Sequence, residues 1–429
     1  MSARKIAIVG AGPVGLEAAL RARAEGHEVT VYEAGRVGEH FAQYGPVRLF
    51  TPFRMNSTEL GRERLRAAGR SLPGDEETLT AVELRGRYLL PLSKLPEVDG
   101  VVREGARIGA IAREGLPKGQ SRAREARPFL LRIESARDGS ARGEESRGEG
   151  SLLERADVVI DASGVYATPN ATGPGGLAAS GEESLGDRLE WHLPDVSGQA
   201  RARYAGKRIL LVGDGRSAAN VIADLDLLLR AGRDAAATRV EWVHRARGEE
   251  ALAPVPAAEL ERLPVLRELL DRAARIAREA PWIRRHGGAT IVAYRPLPSG
   301  AIEATLQDAR GAERRIEVDR VLSLVGYRPD LSLFRELQIH LCYASEGPMA
   351  LAAAILAAQS KDPAAAQGCL GQVSHGPETL KTPEPGFYIL GAKSYGRNPN
   401  FLLTLGHRQI EDVMSLIGAA EPRLNLAPR

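Results

Sequence analysis

The chain contains one strand–turn–helix signature twice, about two hundred residues apart. "KIAIVGAGPVGLEAAL" begins at Lys5 and "RILLVGDGRSAANVIADL" begins at Arg208, and each runs from an apolar stretch through a glycine turn into a helix pattern. A second apolar stretch follows each helix, "EVTVYEA" from Glu28 and "TRVEWVHR" from Thr238. A strand, a crossover helix and a parallel second strand form a βαβ unit, so the repeat predicts two α/β domains. The length of 429 residues also exceeds one ordinary core.

The first turn, "GAGPVG", has the spacing of a dinucleotide-binding turn. We expect Gly10 to allow the tight turn, Gly12 to let the backbone approach a pyrophosphate, and Gly15 to let the helix pack on the strand. The helix N-terminus then offers N–H groups to the phosphates. Glu33 follows 18 residues after Gly15, where a carboxylate accepts hydrogen bonds from ribose hydroxyls. The residues expected at this first site are Gly10, Gly12, Pro13, Val14, Gly15, Glu33 and Ala34.

The second turn, "GDGRSA", keeps Gly213 and Gly215 but has Ala218 at the third glycine position. Its second strand ends in His244 and Arg245 and carries no acid there. A carboxylate there would repel a 2′-phosphate, whereas a guanidinium binds one through two hydrogen bonds, so the ending favours NADPH over NADH. The alternative, that Arg245 is a surface residue at a strand end, stays open. The residues expected at this second site are Gly213, Gly215, Arg216, Ser217, Ala218, His244 and Arg245.

The two different strand endings predict two different dinucleotides. A flavin accepts hydride from a nicotinamide and passes electrons on, so FAD at the first turn and NADPH at the second form a natural pair. We expect a chain of this kind to bind both cofactors.

Composition excludes several other classes of function. The 58 basic and 55 acidic residues nearly cancel, with no concentrated basic tract, which argues against a nucleic-acid partner. The cysteines, Cys342 and Cys369, form no Cys-x-x-Cys pair, and the histidines show no metal-binding spacing. The apolar run Met349–Ala358 is too short to span a bilayer, and the glycine turn interrupts the apolar N-terminus. We therefore expect a cytoplasmic protein without a metal or a membrane partner.

The regions between the two signatures predict smaller elements. "ARIGAIARE" and "RPFLLRIES" have the alternation of an antiparallel ribbon. The Gly-, Ser- and charge-rich stretch 135–151 predicts a solvated hairpin tip. "ADVVIDASG" predicts a buried strand ending at Gly164, and the interleaved charges of 260–280 predict a charged helix face.

Several motifs together resemble the flavoproteins with two dinucleotide-binding domains, which include glutathione-reductase-like enzymes and flavin-containing monooxygenases. They are "GAGPVG" with Glu33, "DASG", "GDGRSAAN", "VGYRPD" and "FYILGA", and they extend over nearly the whole chain. "VRLFTPFRMN" and "ILGAKSYGRNPNFLLTLGH" look most like a bacterial group that includes flavoproteins of arsenic-resistance operons. The resemblance implies two Rossmann-like domains, with the NADPH domain inserted in a discontinuous FAD domain. The implied boundaries are 1–165 and 331–429 for FAD and 166–330 for NADPH and a linker.

The resemblance also implies roles for single residues. Asn56 matches an asparagine placed beside the flavin and nicotinamide, where its amide would assist oxygen transfer; the alternative is an asparagine that holds a loop turn. Gly406 and His407 are expected to open the last helix, with its N-terminus towards the flavin, although His407 could equally be a surface residue near the cap. The further residues implied at the FAD site are Arg48, Gly164, Gly391, Ala392, Gly406 and His407, and those implied for substrate are Lys393, Tyr395 and Arg397.

Three departures limit the function that the resemblance implies. Disulfide reductases of the family need a cysteine pair that this chain lacks, the monooxygenase signature is only echoed around His192, and Ala392 replaces the usual aspartate of the last FAD motif. The leading expectation is an NADPH-consuming monooxygenase that transfers one oxygen atom to a nitrogen, sulfur or arsenic centre through a flavin hydroperoxide. Its partners would be a small-molecule substrate and oxygen, with a homodimer left open. The alternatives are an NADPH:acceptor flavin reductase and a flavin-binding redox partner or sensor.

Overall fold

The computed structural model describes residues 3–135, 152–246, 252, 255–361 and 368–419. Apart from Ser135, the expected hairpin tip at 135–151 lies outside these ranges. Within them, no helix has the length and apolar character needed to cross a bilayer.

The described residues form α-helices and β-strands, most of them short. The strands are β1 Lys5–Val9, β2 Glu28–Tyr32, β3 Val102–Arg103, β4 Ala106–Arg113, β5 Phe129–Ser135, β6 Leu152–Ala156, β7 Val158–Asp161, β8 Leu189–Glu190, β9 Arg208–Val212, β10 Arg239–His244, β11 Ile283–Gly287, β12 Thr290–Pro296, β13 Ile302–Gln307, β14 Glu313–Val318, β15 Arg320–Ser323 and β16 Phe387–Ile389. The helices are α1 Pro13–Ala24, α2 Glu39–Tyr44, α3 Glu59–Ala67, α4 Ala81–Leu84, α5 Leu90–Ser93, α6 Arg201–Tyr204, α7 Arg216–Arg230, α8 Ala257–Arg262, α9 Pro264–Glu279, α10 Met349–Lys361 and α11 Leu403–Ala419.

The chain divides into two compact units. Unit 1 comprises Met1–Ala42, Thr51–Thr168 and Arg328–Arg429, and unit 2 comprises Gln43–Phe50 and Pro169–Tyr327. Unit 1 is therefore discontinuous in sequence, with most of unit 2 inserted between two of its segments.

Unit 1 contains a five-stranded parallel sheet among its described residues, in the order β16-β7-β1-β2-β3, and an antiparallel sheet β4-β5-β6. Alternate residues of β1, Ala7 and Val9, share one apolar cluster with Ile111 and Leu131 of the antiparallel sheet. α1 packs against α11. The register aligns Val9 with Tyr32 and with Asp161, so the residues after these three strand ends meet at one edge of the sheet.

Unit 2 repeats this plan. A parallel sheet in the order β11-β10-β9-β15-β8 lies beside an antiparallel sheet β12-β13-β14 in the described residues. Ile209 and Leu211 of β9 pack in a cluster with residues of α7 and α9, whereas Leu210 and Val212 pack with the antiparallel sheet. This alternation follows from the two-residue period of a strand buried on both faces.

The expected α/β fold with two Rossmann-like domains is confirmed, and so is the antiparallel ribbon after Ala106. The helical prediction for 260–280 is confirmed in two pieces, and the predicted start of the last helix was wrong. The charged stretch 260–280 belongs to two helices, because Leu263 separates α8 from α9 and Pro264, which lacks an N–H, begins the second helix. The last helix begins at Leu403, so Gly406 and His407 lie one turn inside it.

Candidate dinucleotide sites

The first glycine turn connects β1 to α1, and it is tightly packed at Gly10 and Gly15. Gly10 has φ +101°, a left-handed conformation that favours glycine, and a Cβ on Gly15 would lie 1.9 Å from the Gly10 carbonyl oxygen. Gly12 is the N-cap of α1, and no described atom lies within 4 Å of a Cβ built on it. Gly10 and Gly15 are therefore required by the turn itself, whereas Gly12 keeps open the space in front of the helix N-terminus.

Glu33 follows β2 at the same edge of the sheet. Its two carboxylate oxygens accept hydrogen bonds from the backbone N–H groups of Ala11, at 2.7 Å, and Gly35, at 2.8 Å. Each oxygen retains a further lone pair, so the carboxylate is held in position and can still accept from hydroxyl groups. Pro13 and Val14 are the first two residues of α1, and Ala34 follows Glu33 directly.

The second turn repeats the first with one difference. Gly213 has φ +120°, and a Cβ there would lie 2.3 Å from the Leu324 carbonyl oxygen. Gly215 is the N-cap of α7, with no described atom within 4 Å of a Cβ built on it. Ala218, at the third glycine position, is fully buried, so this crossing of helix and strand accepts a methyl group. Ser217 lies half-buried in the first turn of α7.

Arg216, the first residue of α7, forms an ion pair with Glu259 of α8, with 3.3 Å between Nη2 and Oε1. Its Nε is buried and has no hydrogen-bond acceptor among the described residues. The guanidinium therefore keeps one buried donor unused beside the helix N-terminus.

His244 and Arg245 differ sharply in environment. His244 is 1% exposed, with its ring 4.8 Å from that of Trp242. Burial, together with the charge of Arg285, lowers the pKa of His244, so the ring is neutral near pH 7. Arg245 is exposed. Of the two expected phosphate ligands, only Arg245 therefore presents a cation to solvent.

Asn56 is buried and its side chain is fully engaged with its own loop. Its amide nitrogen donates to the carbonyls of Thr51, at 2.9 Å, and Pro52, at 3.2 Å. Its amide oxygen accepts from the Thr51 hydroxyl at 2.9 Å. These contacts match the loop-holding alternative, since both amide hydrogens already have acceptors. The expected catalytic contact of Asn56 has no support in this geometry.

The residues implied for substrate mostly point inward. The Lys393 ammonium lies 2.7 Å from Asp161 Oδ2 and donates to the Ser163 hydroxyl at 3.1 Å, and both charged side chains are buried. Tyr395 is buried beside Phe401, and burial raises its pKa to about 12. Arg397 is exposed and paired with Glu346 at 2.7 Å. Lys393 and Tyr395 are therefore engaged with other protein groups in this structure, and their contact with substrate stays a prediction.

The same loop fixes the ends of β7 and β16. Gly391, with φ +74°, donates its N–H to the Gln409 side chain at 2.9 Å, and Ala392 follows it half-buried. Asp161 accepts from the N–H and hydroxyl of Ser163, and Gly164 follows with φ +72°. The DASG and LGAK turns are thus joined by the buried Asp161–Lys393 pair.

α11 places His407 close to Arg62 and packs Gly406 on α1. A Cβ on Gly406 would lie 2.6 Å from Val14 Cγ2. The Nε2 atom of His407 is buried without a partner among the described residues, and burial, with a smaller effect of Arg62, lowers the pKa to about 4. A neutral ring with an unused nitrogen fits a ligand contact better than a solvated surface position.

Arg48 and the two cysteines were also considered in the sequence analysis. Arg48 lies in the segment Gln43–Phe50, which belongs to unit 2, whereas it was expected at the FAD site of the other unit. Cys342 and Cys369 are both buried, and neither forms a disulfide in this structure.

The sequence did not predict two ion pairs, the one between Asp161 and Lys393 and the one between Arg216 and Glu259. "DASG" marked the position of Asp161, but the pair with Lys393 spans 232 residues of sequence, from 161 to 393. Glu259 lies in a charge-rich stretch where glutamates are common, so no local signal distinguishes it.

No protein-family model matches the chain, and neither does any curated protein. The chain is similar in structure to bacillithiol disulfide reductase Bdr from Bacillus cereus, with TM-score 0.68 and 15% identity over 98% of this chain and 100% of that one. It is also similar to the FAD-bound cadaverine monooxygenase DfoA from Erwinia amylovora, with TM-score 0.60, 13% identity, and 99% and 97% of the two chains covered. A third similar structure is the ornithine N-hydroxylase KtzI of Kutzneria sp. 744. Its TM-score is 0.58, with 15% identity over 97% of this chain and 99% of that one. These similarities establish the two-domain flavoprotein fold, shared by reductases and monooxygenases alike.

Proposed function

We propose that the protein is an FAD-dependent, NADPH-consuming oxidoreductase. The observation that carries the proposal is the pair of glycine turns, each at the carboxyl edge of a parallel sheet and each keeping space open before a helix N-terminus. Parallel α/β sheets bind ligands at this edge, and helix N-termini favour phosphates. One strand after the turn ends in an acid and the other in an arginine, so the two units suit different dinucleotides.

FAD fits unit 1. Gly12 leaves room for a pyrophosphate, and Glu33 is held where it can accept from ribose hydroxyls. The buried and unpartnered Nε2 of His407 offers a further hydrogen-bonding group. The flavin, when bound, supplies hydride acceptance and reactivity towards oxygen.

NADPH fits unit 2. Gly215 leaves the equivalent space before α7, Arg216 has an unused buried donor there, and Arg245 presents a guanidinium after β10. An exposed guanidinium after this strand selects a 2′-phosphate over a bare ribose hydroxyl. We assign no direct phosphate contact to His244, because its ring is buried and neutral.

For the reaction, we favour oxygen transfer to a small molecule with a nitrogen, sulfur or arsenic centre. Two of the similar structures are monooxygenases named for amine substrates, cadaverine and ornithine. A dithiol mechanism would need adjacent cysteines, whereas Cys342 and Cys369 are buried, form no disulfide and lie 27 residues apart in sequence (369 minus 342). The second candidate, an NADPH:acceptor reductase, gains weight because Asn56 has no amide hydrogen left for oxygen chemistry.

The distribution of consumed oxygen between products tests this assignment. The FAD-loaded protein is supplied with NADPH and oxygen in the presence of candidate amines, sulfides and trivalent arsenicals, and hydrogen peroxide and oxygenated product are both quantified. A monooxygenase couples most NADPH oxidation to product with its own substrate. Near-complete conversion of oxygen to peroxide with every candidate, together with rapid reduction of an artificial electron acceptor, would favour the reductase.

Arg245→Ala is expected to weaken NADPH binding by about tenfold to a hundredfold and to change NADH binding less than about twofold, because a charge-assisted bidentate contact to phosphate is lost. Dissociation constants of both nucleotides, measured by titration calorimetry, check this. Arg239→Ala provides the control, because Arg239 lies at the opposite end of the same strand. Equal weakening of NADPH and NADH would contradict the phosphate assignment.

A further inference from the structure

α8 is a short helix that buries a charged side chain and none of its apolar ones. Among Ala257–Arg262 the buried residue is Glu259, which is 4% exposed. A six-residue helix has little stability of its own and normally depends on apolar packing. The ion pair of Glu259 with Arg216 is therefore one of the contacts that hold α8 in place.

Glu259 reaches the start of α7, where it contacts Arg216. The contact is long, at 3.3 Å, and joins one nitrogen of the guanidinium to one oxygen of the carboxylate. The neighbouring Nε–H is buried and has no acceptor in the described part of the chain. A guanidinium can make two parallel hydrogen bonds to an anion, so Arg216 is only half used by Glu259.

The same position suits a phosphate. α7 begins directly after the open space at Gly215, its first turn contains no acidic residue, and its N–H groups attract anions. A phosphate beside Arg216 would complete both guanidinium hydrogen bonds, but a buried carboxylate at the same guanidinium would repel it. Glu259 and a nucleotide phosphate therefore compete for one cation.

We propose that α8 is an autoinhibitory element of unit 2, in which Glu259 occupies Arg216 until nucleotide displaces it. The inference rests on the proposed binding of NADPH at α7. Displacement breaks the Arg216–Glu259 ion pair and forms an Arg216–phosphate pair, and it removes one of the contacts that hold α8. Nucleotide binding would thus be weaker than the turn alone allows, and it would loosen α8.

Equilibrium binding of NADP+ to the FAD-loaded protein, measured by titration calorimetry, tests the competition. Glu259→Gln, which removes the charge and keeps the shape, is expected to lower the dissociation constant about threefold to tenfold. Glu261→Gln is the matched control, because Glu261 lies on the same helix, is exposed, and loses the same charge; its constant should stay within about twofold of wild type. Arg216→Ala should weaken binding, and adding Glu259→Gln to it should then give no gain.

A structural readout accompanies the titration. NADP+ should speed tryptic cleavage after Arg262 in the wild-type protein, whereas cleavage in Glu259→Gln should be fast with or without nucleotide. If Glu259→Gln does not fold, Glu259→Asp, which keeps the charge but shortens the reach, should also tighten binding. An unchanged or higher dissociation constant for the folded variant, or protection of Arg262 by NADP+, overturns the autoinhibition. Failure of the wild-type protein to bind NADP+ at all overturns the proposed function as well.

Discussion

Gly12→Ala is expected to yield a folded protein that no longer retains FAD. The Cβ of the new alanine meets no described protein atom, so the turn and the parallel sheet of unit 1 should form as before. The same methyl group would fill the space before the N-terminus of α1, where a pyrophosphate must approach the backbone. We expect FAD affinity to fall at least about a hundredfold, equivalent to about 2.8 kcal/mol. The ratio of flavin to protein absorbance after purification and a fluorescence titration with FAD measure the loss.

Substitutions at two other glycines provide the comparisons for this experiment. Gly119→Ala is the control, because it adds a methyl group in open space on an exposed loop and should leave FAD binding unchanged. Gly15→Ala should instead prevent normal folding of unit 1, since its Cβ would lie 1.9 Å from a backbone oxygen. A Gly12→Ala protein that purifies with a full complement of FAD would remove the first turn as the flavin site.

The two glycine turns show which features can be predicted from local sequence. A strand, a glycine spacing and a helix are contiguous, so their chemistry fixes the turn, the positive φ of Gly10 and Gly213, and the parallel sheet. The end of the second strand is close enough in sequence to predict Glu33 as well. These elements could be predicted because each depends on neighbours along the chain.

The contacts of individual polar side chains were not predictable in this way. The amide of Asn56 could have faced a cofactor or its own loop, and its hydrogen bonds to the Thr51 and Pro52 carbonyls could be seen only in the structure. Lys393 has the chemistry of a ligand for an anionic substrate, but its partner Asp161 is brought to it by the pairing of β16 with β7. A long polar side chain on a loop therefore says little until its burial is known.

Lys393→Met is expected to destabilise unit 1 by about 3–5 kcal/mol, because it leaves the Asp161 carboxylate buried without its cation. Methionine keeps the length of the side chain, so little packing is lost. Urea unfolding followed by circular dichroism measures the change in the free energy of unfolding. Tryptophan fluorescence would miss it, since Trp191, Trp242 and Trp282, the chain's three tryptophans, all lie in unit 2.

The double variant Lys393→Met/Asp161→Asn separates charge from packing. The asparagine oxygen can still accept from Ser163, and no buried charge remains, so the double variant should be more stable than Lys393→Met and lie within about 2 kcal/mol of wild type. Lys381→Met, which breaks an exposed pair with Glu378, should cost only about 0.5 kcal/mol. If Lys393→Met leaves stability unchanged and raises only the KM for a substrate, then the lysine serves the ligand and the buried pair is incidental. Destabilisation that the second substitution relieves would instead show that the DASG and LGAK turns depend on this ion pair to stay together.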